Sequence, residues 1–503
     1  MFVRQKKNKS GIISIQVISK AAGAYKVAKT IGSSSDELKI KQLVAEAELW
    51  IQSELGLQSF DFEQKDHLFD EFLSCIQQVK VSGTAFILGK IFDDIGFNII
   101  KDELFKKLVL ARICYPVSKL KTVDYLRRYE DYATTEDLIY LYLDKLQNEH
   151  KRTVQDISYK HTLQVLGNTI QAVFYDVTTL YFEIETEDDL RKNGFSKDGK
   201  HQQPQIVLGL LVSKGAYPLA YEIFKGNKYE GDTMMPILNL FKRRYKFKTL
   251  TVVADAGLLS NKNIEALQNN NYEYILGARI KNETTAMKQQ ILALQLSNGN
   301  SRMIAKDNVT KLIISYSDAR AKKDNYNRER GLRKLQKQID TGKLTKAQIN
   351  NKGYNKFLKL TGAIEVKLDK TKVTDDKKWD GLKGYITNTS LPKEEVIENY
   401  KHLWNIEKAF RISKNEIKIR PIYHYKNERI QAHICLSFVA YKVYKELERQ
   451  LKDKEAIYSV DKAIEIAKTI YSIKAIKPSS KQNVEKVLLL NDEQKNLYKL
   501  FYP

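Results

Sequence analysis

The order of strand and helix signals between residues 171 and 278 constrains the fold more than any other feature of the chain. "QAVFYDVTTLYFEI" (171–184) is a β-branched and aromatic run, which predicts a strand. A polar, basic loop follows, "RKNGFSKDGKHQQPQ" (191–205), and "IVLGLLVSKGAYPLAYEIF" then reads as two strands that turn at Lys214 and Gly215. Next come a helix from about Asp232 to Tyr245, the apolar strand "LTVVADAG", a helix capped by Ser260 or Asn261 with Glu265 in its first turn, and the strand "YEYILGA". The resulting order is β-β-β-α-β-α-β. Three hairpin-linked strands followed by alternating helices and strands predict a mixed sheet, antiparallel on one side and parallel on the other.

That order is the layout of the ribonuclease H-like fold, an α/β class with a mixed five-stranded sheet flanked by helices. The rest of the chain is divided around it. Residues 1–60 predict a small β/α lead-in, with "GIISIQVISKAAGAYKVAKTI" as strands and "SSSDELKIKQLVAEAELWIQSE" as a capped helix. Residues 61–165 are helical throughout, rich in Lys and Arg and broken near Pro116, which suits a DNA-binding region of helix-turn-helix type. Residues 166–280 hold the first part of the sheet domain and 391–450 its second part. Between them, 281–390 is too long for a loop in a compact domain and reads as a β-containing insertion subdomain with the charged helix "DARAKKDNYNRERGLRKLQKQI". Residues 451–503 read as a C-terminal helical region with a possible dimerisation role. The candidate contact combines "HICLSFVAYKVY", which sets Ile434, Phe438 and Tyr441 on one apolar face, with the helix "DKAIEIAKTIYSI".

Charge points to the class of partner. The 503 residues carry 84 Lys and Arg against 61 Asp and Glu, a net +23 spread along the chain, which favours polyanions. Cys75, Cys114 and Cys435 are isolated, which argues against a disulfide framework or a zinc module and fits a reducing compartment. The opening "MFVRQKKNKSGIISIQVISK" lacks the apolar segment of a signal peptide, and no run approaches the roughly 18 apolar residues of a membrane span. A soluble, cytoplasmic protein is expected.

Three carboxylates carry the chemistry. Asp176 falls within the first strand and Asp255 ends the fourth, and in a ribonuclease H-like sheet those two strands are neighbours. Glu407 lies in "IENYKHLWNIEKAFRISK" (397–414), read as one amphipathic helix with Ile397, Tyr400, Leu403, Trp404 and Phe410 toward a core. Its carboxylate sits close to that apolar face without an evident partner. Carboxylates brought close together repel unless a cation sits between them. Three hard oxygen ligands suit Mg²⁺ or Mn²⁺, which keep water and accept phosphate oxygens, and two such ions suit in-line displacement at phosphorus.

The stretches "FYDVTTLYFE", "VVADAGLLSNKNIEAL" and "YKHLWNIEKAFRISK" resemble the DDE transposases of bacterial insertion sequences, in particular the group with a Tyr-x2-Arg-x3-Glu-x6-Lys signature. Tyr400, Glu407 and Lys414 match that spacing; Leu403 stands where the signature has Arg, and Ala256 follows the second Asp where a basic residue is frequent. The resemblance implies that Asp176, Asp255 and Glu407 are catalytic metal ligands for Mg²⁺, with Mn²⁺ substituting. It implies phosphate contacts from Tyr400 and Lys414, and from Lys401, His402 or Arg411 in place of the missing Arg. Trp379 is a candidate for stacking an extruded base. The expected partners are double-stranded DNA, as terminal inverted repeats and as target, and a second copy in a homodimer; the expected location is the nucleoid of a bacterial cytoplasm. Two other readings share the features: a structure-selective nuclease of the same fold, and a DNA-binding regulator with a decayed acidic cage. The presence of all three carboxylates speaks against the latter, and the long insertion with the Tyr-Lys helix favours transposition over the former.

Overall fold

The computed structural model describes residues 1–21, 23–54, 70, 73–196, 199–200, 202–247, 249–342, 350, 353–361, 365–477 and 480–503. The chain forms two compact units, one of Met1–Val79 with Ile473–Lys486 and one of Lys80–Ser472 with Val487–Pro503. The expected boundary at 60/61 lies outside the described residues, as do positions 197, 198 and 201 of the basic loop.

In the first unit, β1 (Phe2–Lys7), β2 (Ile13–Ala21) and β3 (Ala24–Ser34) form an antiparallel sheet. The helix Glu37–Glu54 buries Leu43 and Ala47 against Ile15 and Val17. β2, β3 and the helix were legible in the pattern, whereas β1, a run of "FVRQKK" with little apolar alternation, was not. A second small sheet has the order β16-β15-β4, from β4 (Ile76–Val81), β15 (Tyr471–Ile476) and β16 (Asn483–Leu488). The C-terminal region is therefore part strand, not helical throughout.

The second unit is built on one large sheet. The expected strands are present as β5 (Ala172–Tyr181), β6 (Gln205–Ser213), β7 (Pro218–Lys225), β8 (Thr251–Ala254) and β9 (Glu273–Ala278), with helices Met234–Tyr245 and Asn261–Asn269 between the later ones. β5, β6 and β7 are antiparallel, while β5, β8 and β9 are parallel, so the order β7-β6-β5-β8-β9 is ribonuclease H-like. The sheet does not stop at five strands. β10 (Ser301–Ala305), β11 (Lys311–Tyr316) and β14 (Leu382–Thr387), all from the stretch read as an insertion, extend it antiparallel beyond β9 to eight. β12 (Leu358–Thr361), β13 (Glu365–Leu368) and part of the long helix Asp318–Asp340 form a separate small core, around Leu335, Phe357, Leu358 and Val366.

Alternation along the strands divides the sheet into two apolar faces. Val173, Tyr175, Val252 and Ala254 pack with Ile237, Phe241 and Leu267 of the two inter-strand helices. Phe174, Val253, Ile275 and Tyr385 pack on the opposite face, with Ile406, Phe410 and the long helix Asn427–Asp453. The helices Glu103–Cys114 and Glu136–Val165 belong to this second core as well, burying Phe105, Leu143 and Val154. The region expected to bind DNA thus shares its core with the sheet.

The same core absorbs the apolar face proposed for dimerisation. Ile434, Phe438 and Tyr441 are buried within the chain, where Phe438 meets Tyr221 at 5.0 Å between ring centroids and the Tyr441 hydroxyl donates to the Ala216 carbonyl at 2.8 Å. Ile434→Val is therefore expected to lower the unfolding free energy by about 1 kcal/mol, the usual result of deleting one buried methyl. Urea denaturation measures that loss, and light scattering is expected to show an unchanged mass.

Candidate active site

Strand register brings two of the three carboxylates together. Phe174 pairs with Val253 and Tyr175 with Ala254 across the parallel ladder of β5 and β8, so Asp176, the next residue of β5, and Asp255, the first residue past the end of β8, come at neighbouring positions. Phe174 faces the second core, so alternation along β5 places Asp176 on that side, and the Asp255 carboxylate acts on the buried Tyr400 of the same core. β8 ends at Ala254, and Asp255 opens a turn in which its Oδ1 accepts from the Gly257 amide at 2.8 Å and the Leu258 amide at 3.3 Å. Asp176 Oδ1 accepts from the Val177 amide at 2.7 Å.

Glu407 comes from a helix that packs on β5, but its setting differs from the expected one. Residues 397–414 are not one helix. Lys393–Lys401 ends at a tight turn, where the Leu403 amide donates to Tyr400 and the Asn405 amide to His402, and a second helix runs from Trp404 to Asn415. Ile406, Ala409 and Phe410 are buried, Trp404 is 53% exposed, and Glu407 is exposed. Glu407 is thus a solvated carboxylate beside the core, not one held at its apolar face.

Leu403, at the signature Arg position, lies in the core cluster with Ile406 and Phe410. A cation reaches the site from elsewhere. Lys383 of β14 places its ammonium 4.4 Å from the centre of the Tyr400 ring and 5.4 Å from that of Tyr385. Burial, reinforced by Arg320, lowers the Lys383 pKa, and the Glu407 carboxylate pulls it back up. Arg320 is held by the Leu382 carbonyl at 3.2 Å and lies 3.5 Å from Asp324. Lys383 and Arg320 are the residues that sequence reading missed. The only signal was "LKGY", which sets Lys383 and Tyr385 on one face of a strand; that this strand pairs with β9 is a tertiary fact.

Tyr400 is buried. Its hydroxyl lies over Gly277 of β9, where any side chain would collide with it, and burial, then the Asp255 carboxylate, hold its pKa above the ordinary tyrosine value. Lys401 is exposed and pairs with Glu398 at 3.2 Å, while the half-buried His402 sits edge-on to Phe174. Arg411 is exposed and Lys414 is half-buried. Trp379 packs against the cluster of Ile280, Ile291 and Ile304, and also lines a cleft of about 540 Å³ with Arg320 and Lys383. Tyr400, Lys383 and the carboxylates are thereby gathered at one edge, with Trp379 in the adjoining cleft.

A strand aspartate, a second one just past the end of the neighbouring strand and a glutamate on a helix above, on a ribonuclease H-like sheet, form an arrangement suited to a nucleotidyl-transfer type of enzyme. The Transposase DDE domain profile matches residues 168–442, more than half of the chain, and the protein belongs to that family of transposases. No curated protein matches the chain. Among solved structures, the chain is similar to the piggyBac transposase synaptic complex with hairpin DNA, at 7% identity over 79% of this chain and 78% of that one, with a TM-score of 0.39. It is also similar to the Mos1 transposase paired-end complex with left transposon end, at 13% identity over 46% of this chain and 71% of that one, with a TM-score of 0.16.

DDE transposases generally use divalent metal ions. The donor chemistry here fits such an ion: Asp176 and Asp255, at neighbouring positions, carry the hard oxygens it takes. Among the described residues, however, no group of three or more His, Cys, Asp or Glu side chains converges as a metal-binding cluster. Asp255 is turned into its own loop and Glu407 outward to water, so a three-carboxylate cage requires these side chains to reorient.

Proposed function

We propose that the protein is the transposase of a bacterial insertion sequence, which binds the terminal inverted repeats, cuts at the element ends and joins the freed 3′-hydroxyl to target DNA. The observation that supports this reading is the parallel pairing of β5 with β8, which puts Asp176 of β5 and Asp255, just past the end of β8, at neighbouring positions. In this reading the three carboxylates hold Mg²⁺, or Mn²⁺ in its place. Such an ion would supply Lewis-acid activation of water and charge stabilisation of the leaving oxygen. Asp176, on the paired strand β5, would be the fixed ligand of that ion, and Asp255 would join it by turning out of its own loop. Lys383 and Arg320 neutralise phosphate charge beside it, and Tyr400, held upright over Gly277, orients a further phosphate oxygen. Lys414, Lys401, His402 and Arg411 extend the contact to the DNA backbone, and Trp379 offers a ring at the edge of the cleft.

Two ends must be cut in a coordinated way, so the working form in this reading is a homodimer on DNA. Its interface lies outside Ile434, Phe438 and Tyr441, which the monomer core already uses. The deciding experiment incubates the full chain with labelled DNA carrying the element's ends: Mg²⁺-dependent nicking at the terminus, followed by joined products, supports transposition. Nicking of any branched DNA without joining would replace it with a nuclease.

Binding of that DNA is expected to weaken by about tenfold or more between 50 and 200 mM salt, because a +23 chain releases many counterions from the phosphates it covers. Fluorescence anisotropy of the full chain measures the slope. A fragment of residues 1–165 is a poor substitute, since it strips Phe105, Leu143 and Val154 of the core they share with the sheet.

A further inference from the structure

Away from the carboxylates, the second unit contains a pocket of about 380 Å³ with a one-sided charge. It lies between the end of helix Glu103–Cys114, the start of helix Lys119–Tyr129 and the segment 418–424 that leads from the Glu407 helix to the long helix. Five cations line it, Arg112, Lys119, Lys121, Lys418 and Arg420, and no carboxylate does. Lys119 is only 8% exposed, and no described residue gives it a hydrogen bond or an ion pair. Arg112, equally buried, donates from Nη2 to the Lys418 carbonyl at 2.5 Å, near His433 Nε2 at 3.2 Å, and from Nη1 to the Val117 carbonyl at 3.5 Å, while its Nε has no partner among the described residues.

Such an arrangement is costly in a folded chain. Buried ammonium and guanidinium groups are ordinarily paired, because each loses its water and gains nothing in return. Here burial and then Arg112 lower the Lys119 pKa to about 7, and burial followed by Lys119 lowers that of His424 to about 3. A core assembled for stability alone would put an apolar side chain at 119. A site that must receive an anion has a reason to hold a buried ammonium such as that of Lys119 ready. The amide end of the 11-residue helix Lys119–Tyr129 opens onto the same space, adding its dipole. The pocket volume falls in the range of small-molecule sites, about 300–1,000 Å³, and Tyr423, 67% exposed, offers a ring at its lining.

We infer that this pocket is a binding site for a nucleotide phosphate, with Lys119 and Arg112 on the phosphate and Tyr423 stacking on the base. The phosphate comes from a DNA strand or from a free nucleotide. Segment 418–424 adjoins the catalytic strand, since Ile422 bridges Phe182 just beyond β5, and the Arg420 guanidinium lies 5.7 Å from the centre of the Tyr181 ring. A phosphate held here would therefore fix the connection between β5 and the Glu407 helix.

Thermal unfolding of the full chain with and without dAMP or inorganic phosphate tests the site, with anisotropy of a short duplex bearing a 5′-phosphate or a 5′-hydroxyl. Both small anions are expected to raise the melting temperature of the wild type, and Lys119→Met to abolish the rise while folding at least as stably, because it removes an unpaired buried charge. Tyr423→Ala, on an exposed ring, is expected to weaken dAMP about tenfold and leave phosphate unchanged. Tighter binding of the 5′-phosphorylated duplex, lost in Lys119→Met, assigns the site to DNA; equal binding of both duplexes with a retained dAMP response assigns it to free nucleotides. No rise with either anion, or an undiminished rise in Lys119→Met, overturns the inference. The same measurements on Asp176→Asn protein separate this site from the catalytic reading, because binding here needs no cleavage.

Discussion

Asp176→Asn, Asp255→Asn and Glu407→Gln are each expected to lower Mg²⁺-dependent cleavage of DNA carrying the element's ends by about 10³-fold or more, the scale on which removing a preorganised charge acts. DNA binding is expected to stay within a few fold. Each change keeps the size of the side chain and deletes its charge, so the strand register that sets Asp176 beside Asp255 is untouched. Glu407 is exposed, so its replacement has no core to disturb. Binding rests on a positive charge spread over the chain, and a single neutralised carboxylate does not reduce it. Single-turnover cleavage with a melting curve on each variant separates chemistry from folding. A variant that cuts at near the wild-type rate would remove its residue from the catalytic set.

Lys383→Met is expected to lower the same cleavage by about 10²-fold, with Lys383→Arg retaining most of it. The ammonium is half-buried between the Tyr400 and Tyr385 rings and is sensed by Glu407, so it faces the place where phosphate charge would sit. Restoring the signature by Leu403→Arg is expected not to rescue this loss. Leu403 is 8% exposed in a cluster with Ile406 and Phe410, and a guanidinium forced in there would lose its water without gaining a partner, at several kcal/mol of stability. The double variant Lys383→Met, Leu403→Arg should therefore melt well below Lys383→Met and cut no faster. Full cleavage by Lys383→Met would instead move the phosphate contact to Arg411 or Lys401.

The resemblance to transposases rested on residues that local pattern exposes. Asp176 interrupts an apolar strand, Asp255 ends another, and Tyr400, Glu407 and Lys414 keep a fixed spacing, so each is visible in a window of a few residues. The helix break at His402 and Leu403 was not visible, because both residues keep right-handed helical backbone angles and only the hydrogen-bond step changes. The buried Lys119 was equally hidden. A lysine two residues before another reads as solvated surface, and nothing local says that the segment 418–424 will close over it.

What the sequence alone determined is the set of strands and helices from 171 to 278 and the neighbouring places of β5 and β8. Strand periodicity and hairpin turns act over a few residues, and the handed, short connections of an α/β sheet leave few ways to order such elements. What only the tertiary structure decided is where distant segments spend their apolar faces. The stretch 281–390 could form its own domain or lengthen the sheet, and β10, β11 and β14 lengthen it because the edge of β9 offers unpaired backbone groups to a strand of matching length. Ile434, Phe438 and Tyr441 could meet a second copy or the same chain, and they meet β7 and its neighbours because an apolar face is buried by whichever surface lies within reach. Periodicity tells which side of an element avoids water, and says nothing of the partner that shields it.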